Sequence, residues 1–340
     1  MTQAHSDTSL HDRLLIIDGL IFFSDGDPAP LRQGNVAAAN VTTLMPLLDL
    51  EGAIDETARW LSLLARPDSP WIHVRKAVDI ERAHKEGRVG FIMGWQNALP
   101  FGDCVDRVRL FYELGLRVVQ LTYNQANLIG DGCLEDRNAG LSKLGRQIVE
   151  AMNQVGMAID LSHTGEQTCL DTARMSSQPV LLTHANAYSV AARPRNKSDA
   201  VLRAVAESGG IVGVSVHGFM NWKGDPKSPP TLDGFVEHVR YVANLVGYEH
   251  IGMGNDFASV SDSSVTEAIL EMSKSKFAGA TGEYIAAFGN KLESRYPAET
   301  PSPREMGRIT LALSRAGLSE SQIEGILGRN FLRAFSQIWR

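Results

Sequence analysis

Apolar residues fall into short runs separated by amphipathic stretches and turn residues, and the order of these runs predicts the architecture. Runs of this kind stand at Leu15–Asp18, Val41–Met45, Val89–Gly94 and Val118–Leu121, then at Met157–Leu161, Val180–Thr183, Ile211–Val216 and Ile251–Gly254. They are apolar nearly throughout instead of alternating, which is the pattern of strands buried on both faces of a parallel sheet. The stretches between them carry helical spacing. Asp103–Leu114 repeats Val105, Val108, Phe111 and Leu114 along one face. Ser142 is placed to cap a helix that ends at Gly156, and Ser198 to cap one that ends at Gly209 and Gly210.

Strands alternating with helices are βαβ units. Eight such units in series predict a (β/α)8 barrel of the TIM type, an α/β fold. An open doubly wound sheet is the rival, but it would carry a glycine-rich loop after the first strand, and the residues there read FFSDGDPAP. The segment Ser259–Arg340 reads as a closing helical extension with a proline-bearing loop at Pro297, Pro301 and Pro303, so the 340 residues are expected to form one domain.

Composition narrows the function classes. The formal net charge is −6 and no basic stripe is present, which argues against nucleic acid. No apolar run approaches the length of a membrane span, and the N-terminal residues lack the basic and apolar regions of a signal peptide. The three cysteines Cys104, Cys133 and Cys169 are sparse and odd in number, which suits a reducing compartment. The expectation is a cytoplasmic protein that binds neither nucleic acid nor membrane.

A barrel of this kind gathers its chemistry at the C-terminal ends of its strands. The polar residues found there are Gln96 and Asn97 after the third run, Tyr123 and Asn124 after the fourth, His163 after the fifth and His184 after the sixth. His217 follows the seventh and Asp256 the eighth. His163 and His184 lie one βα unit apart, so two imidazoles converge at one rim and form half of a zinc site. Water activated there could attack a carbonyl carbon, with Asp256 carrying its proton. A lone strand-end histidine is more often structural, and His217, followed by Gly218, reads as part of a turn. Arg195, in ARPRNKSD, is equally compatible with a surface arginine and with a guanidinium that clamps a carboxylate.

These motifs resemble the membrane (renal) dipeptidases, peptidase family M19, over most of the chain from about Ile16 onward. The ordered set LFYELGLRVVQLTYN, GLSKLGRQIVEAMNQVGMAIDLSH, PRNKSD, ESGGIVGVSV, LVGYEHIGMGNDF and GILGRNFLRAF carries the likeness. The resemblance implies zinc-dependent cleavage of dipeptides, with two ions bridged by a glutamate, often in a dimer. It implies that His163 and His184 are metal ligands, that Asp256 and Tyr123 are catalytic, and that Arg195 grips the substrate carboxylate; Asn124 and Gln96, at the same rim, are expected to contact the substrate.

The departures from the family pattern are as specific as the matches. Where the family has Asp-Gly-His-x-Asp, this chain reads Asp18-Gly19-Leu20-Ile21-Phe22, and where the family has its bridging glutamate it has Gln96. Apolar side chains cannot hold zinc, and a neutral amide is a poor bridge between ions. The sequence therefore predicts one zinc ion or none. Three outcomes are open: a mononuclear hydrolase acting on a small carboxylate-bearing substrate, a centre rebuilt with Asp25 and Asp27 from the following turn, or a metal-free pocket that binds a small ligand or has different chemistry.

Overall fold

The computed structural model describes residues 10–260 and 281–340. Its strands are β1 (Ile16–Ser24), β2 (Val36–Thr42), β3 (Trp71–His73), β4 (Val89–Trp95), β5 (Leu116–Gln120), β6 (Ala158–Asp160), β7 (Leu181–Leu182), β8 (Ile211–Val214), β9 (Ile251–Met253) and β10 (Phe257–Ser259). They run in the order β10-β1-β2-β4-β5-β6-β7-β8-β9, all parallel. β9 and β10 are two halves of one strand interrupted at Gly254–Asp256. One half pairs with β8 and the other with β1, so the sheet closes on itself. The predicted eight-stranded barrel is the observed one.

Burial explains the continuous apolarity of the runs: every residue of β2 and of β4 is buried. It also explains where the sequence reading slipped. The second strand is Val36–Thr42, not Val41–Met45, because its core is Ala37–Ala39, and alanine is a weak strand former that nonetheless suits a crowded barrel interior. The first strand runs on to Ser24, so Leu20 and Phe22 are strand residues. β3 was not anticipated; its three residues pair with Val89–Phe91 of β4, while β5 pairs further along the same edge from Met93. The helix placed at Asp103–Leu114 begins at Arg107. The caps at Ser142 and Ser198 are present, with each side chain accepting from the backbone N–H three residues on.

The base of the barrel is plugged. The helix Asn330–Ile338 lays Phe331, Phe335 and Trp339 in a stack against the bottom of the strands, in one apolar cluster with Ile17, Ala38, Ile92 and Val118. Phe331 fills the space beside Gly19 and Gly252; a Cβ at Gly19 would stand 2.8 Å from its ring. The last part of the predicted extension is therefore a stopper, though the segment also includes Ser259 of β10, and residues 261–280 lie outside the described residues. With one end stoppered, the opposite mouth is left for chemistry.

Candidate functional site

The mouth holds a small cavity of about 140 Å³, lined among the described residues by Phe22, Gln96, Tyr123, Asn124, His163, Arg195, His217, Asp256 and Arg295, with further residues that are mostly apolar but include Thr281 and Asn290. Six of the seven residues predicted for the site line it, and the seventh, His184, reaches it through His163.

A buried carboxylate positions the two histidines. Asp160, at the end of β6, accepts from Ser162 N (3.0 Å), Ser162 Oγ (2.6 Å), Thr183 N (3.0 Å) and Thr183 Oγ1 (2.6 Å), which stitches the end of β6 to the end of β7. Burial raises its pKa, and these hydrogen bonds oppose the rise. Ser162 Oγ in turn accepts from His184 N at 3.1 Å.

The proton positions on both rings follow from this network. Thr183 gives its hydroxyl hydrogen to Asp160, so its oxygen accepts from His184 Nδ1 at 2.9 Å. Asn124 Oδ1 accepts from His163 Nδ1 at 2.7 Å. Each ring is thus protonated on Nδ1 when neutral, and burial holds both pKa values well below the ordinary range. Two bare Nε2 lone pairs then face each other at 3.0 Å. Like-sign lone pairs at that separation are stable only with a cation or a proton between them.

The rest of this side is built as tightly. The Tyr123 ring stacks on His163 with centroids 4.1 Å apart, and burial raises its hydroxyl pKa. Asn124 holds a left-handed backbone (φ 61°), uncommon outside glycine, as does Asp256 (φ 58°) across the mouth. Gln120 accepts from His163 N at 3.2 Å and donates to Gln96 Oε1 at 3.4 Å, and Gln96 Nε2 donates to Thr42 Oγ1 at 2.9 Å. Both ends of the Gln96 amide are therefore engaged by protein. Arg195 is buried, and one Nη donates to Ser162 O.

Asp256 stands on the other side. Its backbone N donates to Leu20 O at 3.0 Å, and its neighbour Asn255 is held by Asp18, which accepts from Asn255 N (3.0 Å), Asn255 Nδ2 (2.9 Å) and Leu20 N (3.1 Å). Burial pushes the Asp256 carboxyl up to about 6, against the pull of Arg295 and Arg195. A carboxyl poised there can take and return a proton near neutral pH.

The sequence reading underweighted His217 and missed Arg295. His217 lines the cavity, with Nε2 3.9 Å from Asp256 Oδ2 and accepting from Arg295 Nε at 3.2 Å. Asp25 and Asp27 do not rebuild a centre: they accept from Asp27 N and Ala29 N, two residues on in each case, and line no part of the cavity. Among the described residues no third His, Cys, Asp or Glu joins His163 and His184 in a group able to hold a metal. A two-ion centre does not fit these residues. A single ion fits the converged Nε2 pair, with other oxygen donors needed to complete its shell.

A barrel stoppered at one end, with strand-end histidines and a buried aspartate at its open mouth, has the layout of a hydrolase. Similarity to known proteins gives the family. The profile of the Membrane dipeptidase family (Peptidase family M19) matches residues 56–273, and the chain belongs to that family. A solved amidohydrolase from Pseudomonas aeruginosa is 31% identical, with 98% of this chain and 99% of that one covered and a TM-score of 0.83. A metallopeptidase from Rhodobacter sphaeroides, liganded with a phosphinate mimic of the dipeptide L-Ala-D-Ala, shares the fold at 19% identity and a TM-score of 0.78, over 96% of this chain and 99% of that one. Dipeptidase tcpJ of Claviceps purpurea is 29% identical over 77% of this chain, a match that spans 54% of that relative's own length. No helix among the described residues is long and apolar enough to cross a membrane.

Proposed function

We propose that this protein hydrolyses a dipeptide or a related amide in a small carboxylate-bearing molecule, and that its metal requirement is at most one zinc ion, held by His163 and His184. The observation that carries this reading is the pair of bare Nε2 atoms 3.0 Å apart, each oriented by a hydrogen bond to the opposite ring nitrogen. An ion bound there would supply Lewis-acid activation of water or of the scissile carbonyl.

The chain's own residues supply the rest. Arg195 grips the substrate carboxylate, and Gln96 and Asn124 shape the wall beside it. Tyr123 donates a hydrogen bond to the carbonyl oxygen as negative charge develops there. Asp256 takes a proton from the attacking water at its carboxylate; the carbon–nitrogen bond then breaks, and the same proton passes to the departing amine. We take the chain as one barrel with its closing helices, acting in the cytoplasm, with a homodimer as the expected assembly.

A second reading is favoured by two observations. The Nε2 separation is also that of an N–H···N hydrogen bond, and the metal-ligand set stops at two among the described residues. A proton would then replace the ion, and the pocket would bind a small amino-acid-like ligand without metal. Elemental analysis of protein purified without chelator separates the two. The first reading expects up to one equivalent of zinc, lost in His163→Ala together with dipeptide hydrolysis. A metal-free protein that zinc cannot activate, yet that dipeptides stabilise against heat, would establish the second in its place.

A further inference from the structure

The turn Glu293–Arg295 lies outside the barrel but is pinned to its mouth from two sides. Tyr296 Oη donates to Asp256 O at 2.7 Å, and its ring packs on Phe257 (4.8 Å) and edge-on to His217 (5.9 Å). Tyr284 Oη donates to Ser294 O at 2.7 Å, while Ser294 Oγ closes the preceding loop onto Gly289 O at 2.9 Å. Arg295 is held between these pins. Its guanidinium carbon lies 4.7 Å from the Phe22 ring centroid, and its Nε donates to His217.

Arg295 differs from the structural arginines of this chain in what its terminal nitrogens meet. Arg117 directs one terminal nitrogen onto the Tyr112 and Leu116 carbonyls, and Arg88 directs one onto the Ser69 and Trp71 carbonyls and the other onto the Glu86 carboxylate. For Arg295, no hydrogen bond or ion pair from either terminal nitrogen is found among the described residues, although the side chain lines the cavity. A fork of N–H groups left open in a small cavity is a receptor for a planar anion.

The charge balance points the same way. Arg195 and Arg295 both line the cavity, and Asp256 is the only carboxylate among its described lining residues. With Asp256 ionised, the protein's own side chains give the lining one positive charge in excess, and a cation held by His163 and His184 would add to it. A dipeptide zwitterion has no net charge and leaves that excess in place. A dipeptide with one acidic side chain carries a single negative charge and reduces it.

We propose that Arg295 is a second anion anchor and that the preferred substrate is a small molecule with two acidic groups, in the simplest case a dipeptide containing aspartate or glutamate. One carboxylate lies on Arg195 and the other on Arg295. This rests on the hydrolase reading above, and the probes are chosen so that the two can fail separately.

The test is calorimetric binding to the full-length protein of two near-isosteric dipeptides, Gly-Asp and Gly-Asn, and of glutarate against butyrate. In the wild type, Gly-Asp is expected to bind at least tenfold more tightly than Gly-Asn. In Arg295→Gln that ratio falls to within twofold while Gly-Asn binding changes less than threefold. Arg295→Lys, which keeps the charge and loses the fork, retains an intermediate ratio, and it serves as the deciding variant if the glutamine protein does not fold. Arg195→Gln weakens both dipeptides together. Equal binding of the two dipeptides by the wild type, or equal weakening of both by Arg295→Gln, overturns the proposal, as does failure of all four probes to bind. If neither dipeptide binds but glutarate outbinds butyrate tenfold through Arg295, the dipeptide reading falls and the second anchor stands.

Discussion

The two sides of the barrel mouth use one construction device to hold different chemistry. On the β6–β7 side a buried aspartate, Asp160, gathers four donors and so fixes Thr183, His184 and His163. On the β1–β9 side another, Asp18, gathers Leu20 N and both nitrogens of Asn255, and so fixes the strand interruption that presents Asp256. The first side ends in bare imidazole nitrogens, suited to a cation. The second ends in Leu20, Phe22 and the Arg295 guanidinium, suited to an anion. The aspartate scaffold is present on both sides, while the converged imidazole pair stands on the first side alone among the described residues. Scaffold and chemistry are thus separable, and substitutions in one should leave the other readable.

The largest effect should come from removing the carboxylate under the histidines. Asp160→Ala leaves four donors without their acceptor in a fully buried site, at about 1–3 kcal/mol for each donor that finds no other partner. We expect a loss of about 3–5 kcal/mol in urea unfolding. Zinc affinity should also fall at least tenfold, because Thr183 no longer fixes the proton on His184 Nδ1. Asp18→Ala removes three bonds and should cost slightly less, about 2–4 kcal/mol, with zinc affinity unchanged. If both substitutions weaken zinc alike, the two sides are not independent.

Next in size is a pH effect confined to the other side. Burial pushes the Asp18 carboxyl up to about 7, against about 4 in an unfolded chain. Between those values the folded protein holds a proton that the unfolded chain has released. The stability this gives is complete below about pH 4 and is lost as pH rises through 7. Asp18→Asn copies the protonated form: one oxygen still accepts from Leu20 N and Asn255 N. The amide takes the place of the oxygen that accepts from Asn255 Nδ2, so that once the Asn255 side-chain amide turns over it can donate to Asn255 Oδ1, which has no hydrogen-bond partner among the described residues. Between pH 5 and pH 8 the wild type should lose on the order of 2–3 kcal/mol more than this variant. Parallel pH curves for the two proteins would show that Asp18 is ionised throughout and held by its donors.

What the sequence made legible follows from local physics. Buried parallel strands must be apolar on both faces, so the barrel could be counted from runs such as Val89–Gly94. β2 slipped because Ala37–Ala39 do not look like a strand until a crowded interior requires small residues. His163, His184 and Asp256 were visible because a polar residue directly after a buried run has the barrel mouth as its natural place. The two scaffold aspartates left a signal that was available and unused: each interrupts an apolar run, IIDG and AIDLS, where an unpaired charge would be costly. His217 was masked by Gly218, which suggested a turn and in fact opens a short helix, Gly218–Asn221. Arg295 left no readable signal. Its place depends on Tyr284 and Tyr296 meeting the barrel from outside, which is a tertiary fact.

The smallest effect, Tyr123→Phe, separates ring from hydroxyl on the imidazole side. The phenylalanine ring keeps the stack on His163, so His163 retains the wall that holds it toward Asn124. Stability should change by less than about 1 kcal/mol, and zinc content should not change, because neither His163 nor His184 loses a partner at Nδ1. The hydroxyl acts only if it donates to the carbonyl oxygen as charge builds there. Its loss should then lower kcat about tenfold, equivalent to about 1.4 kcal/mol, with KM nearly constant. A change confined to KM would instead make Tyr123 part of the substrate wall. Unchanged kcat and KM would reduce it to a platform for His163, leaving Arg195 and Arg295 as the fixed positive charges of the described mouth on which a developing oxyanion could draw.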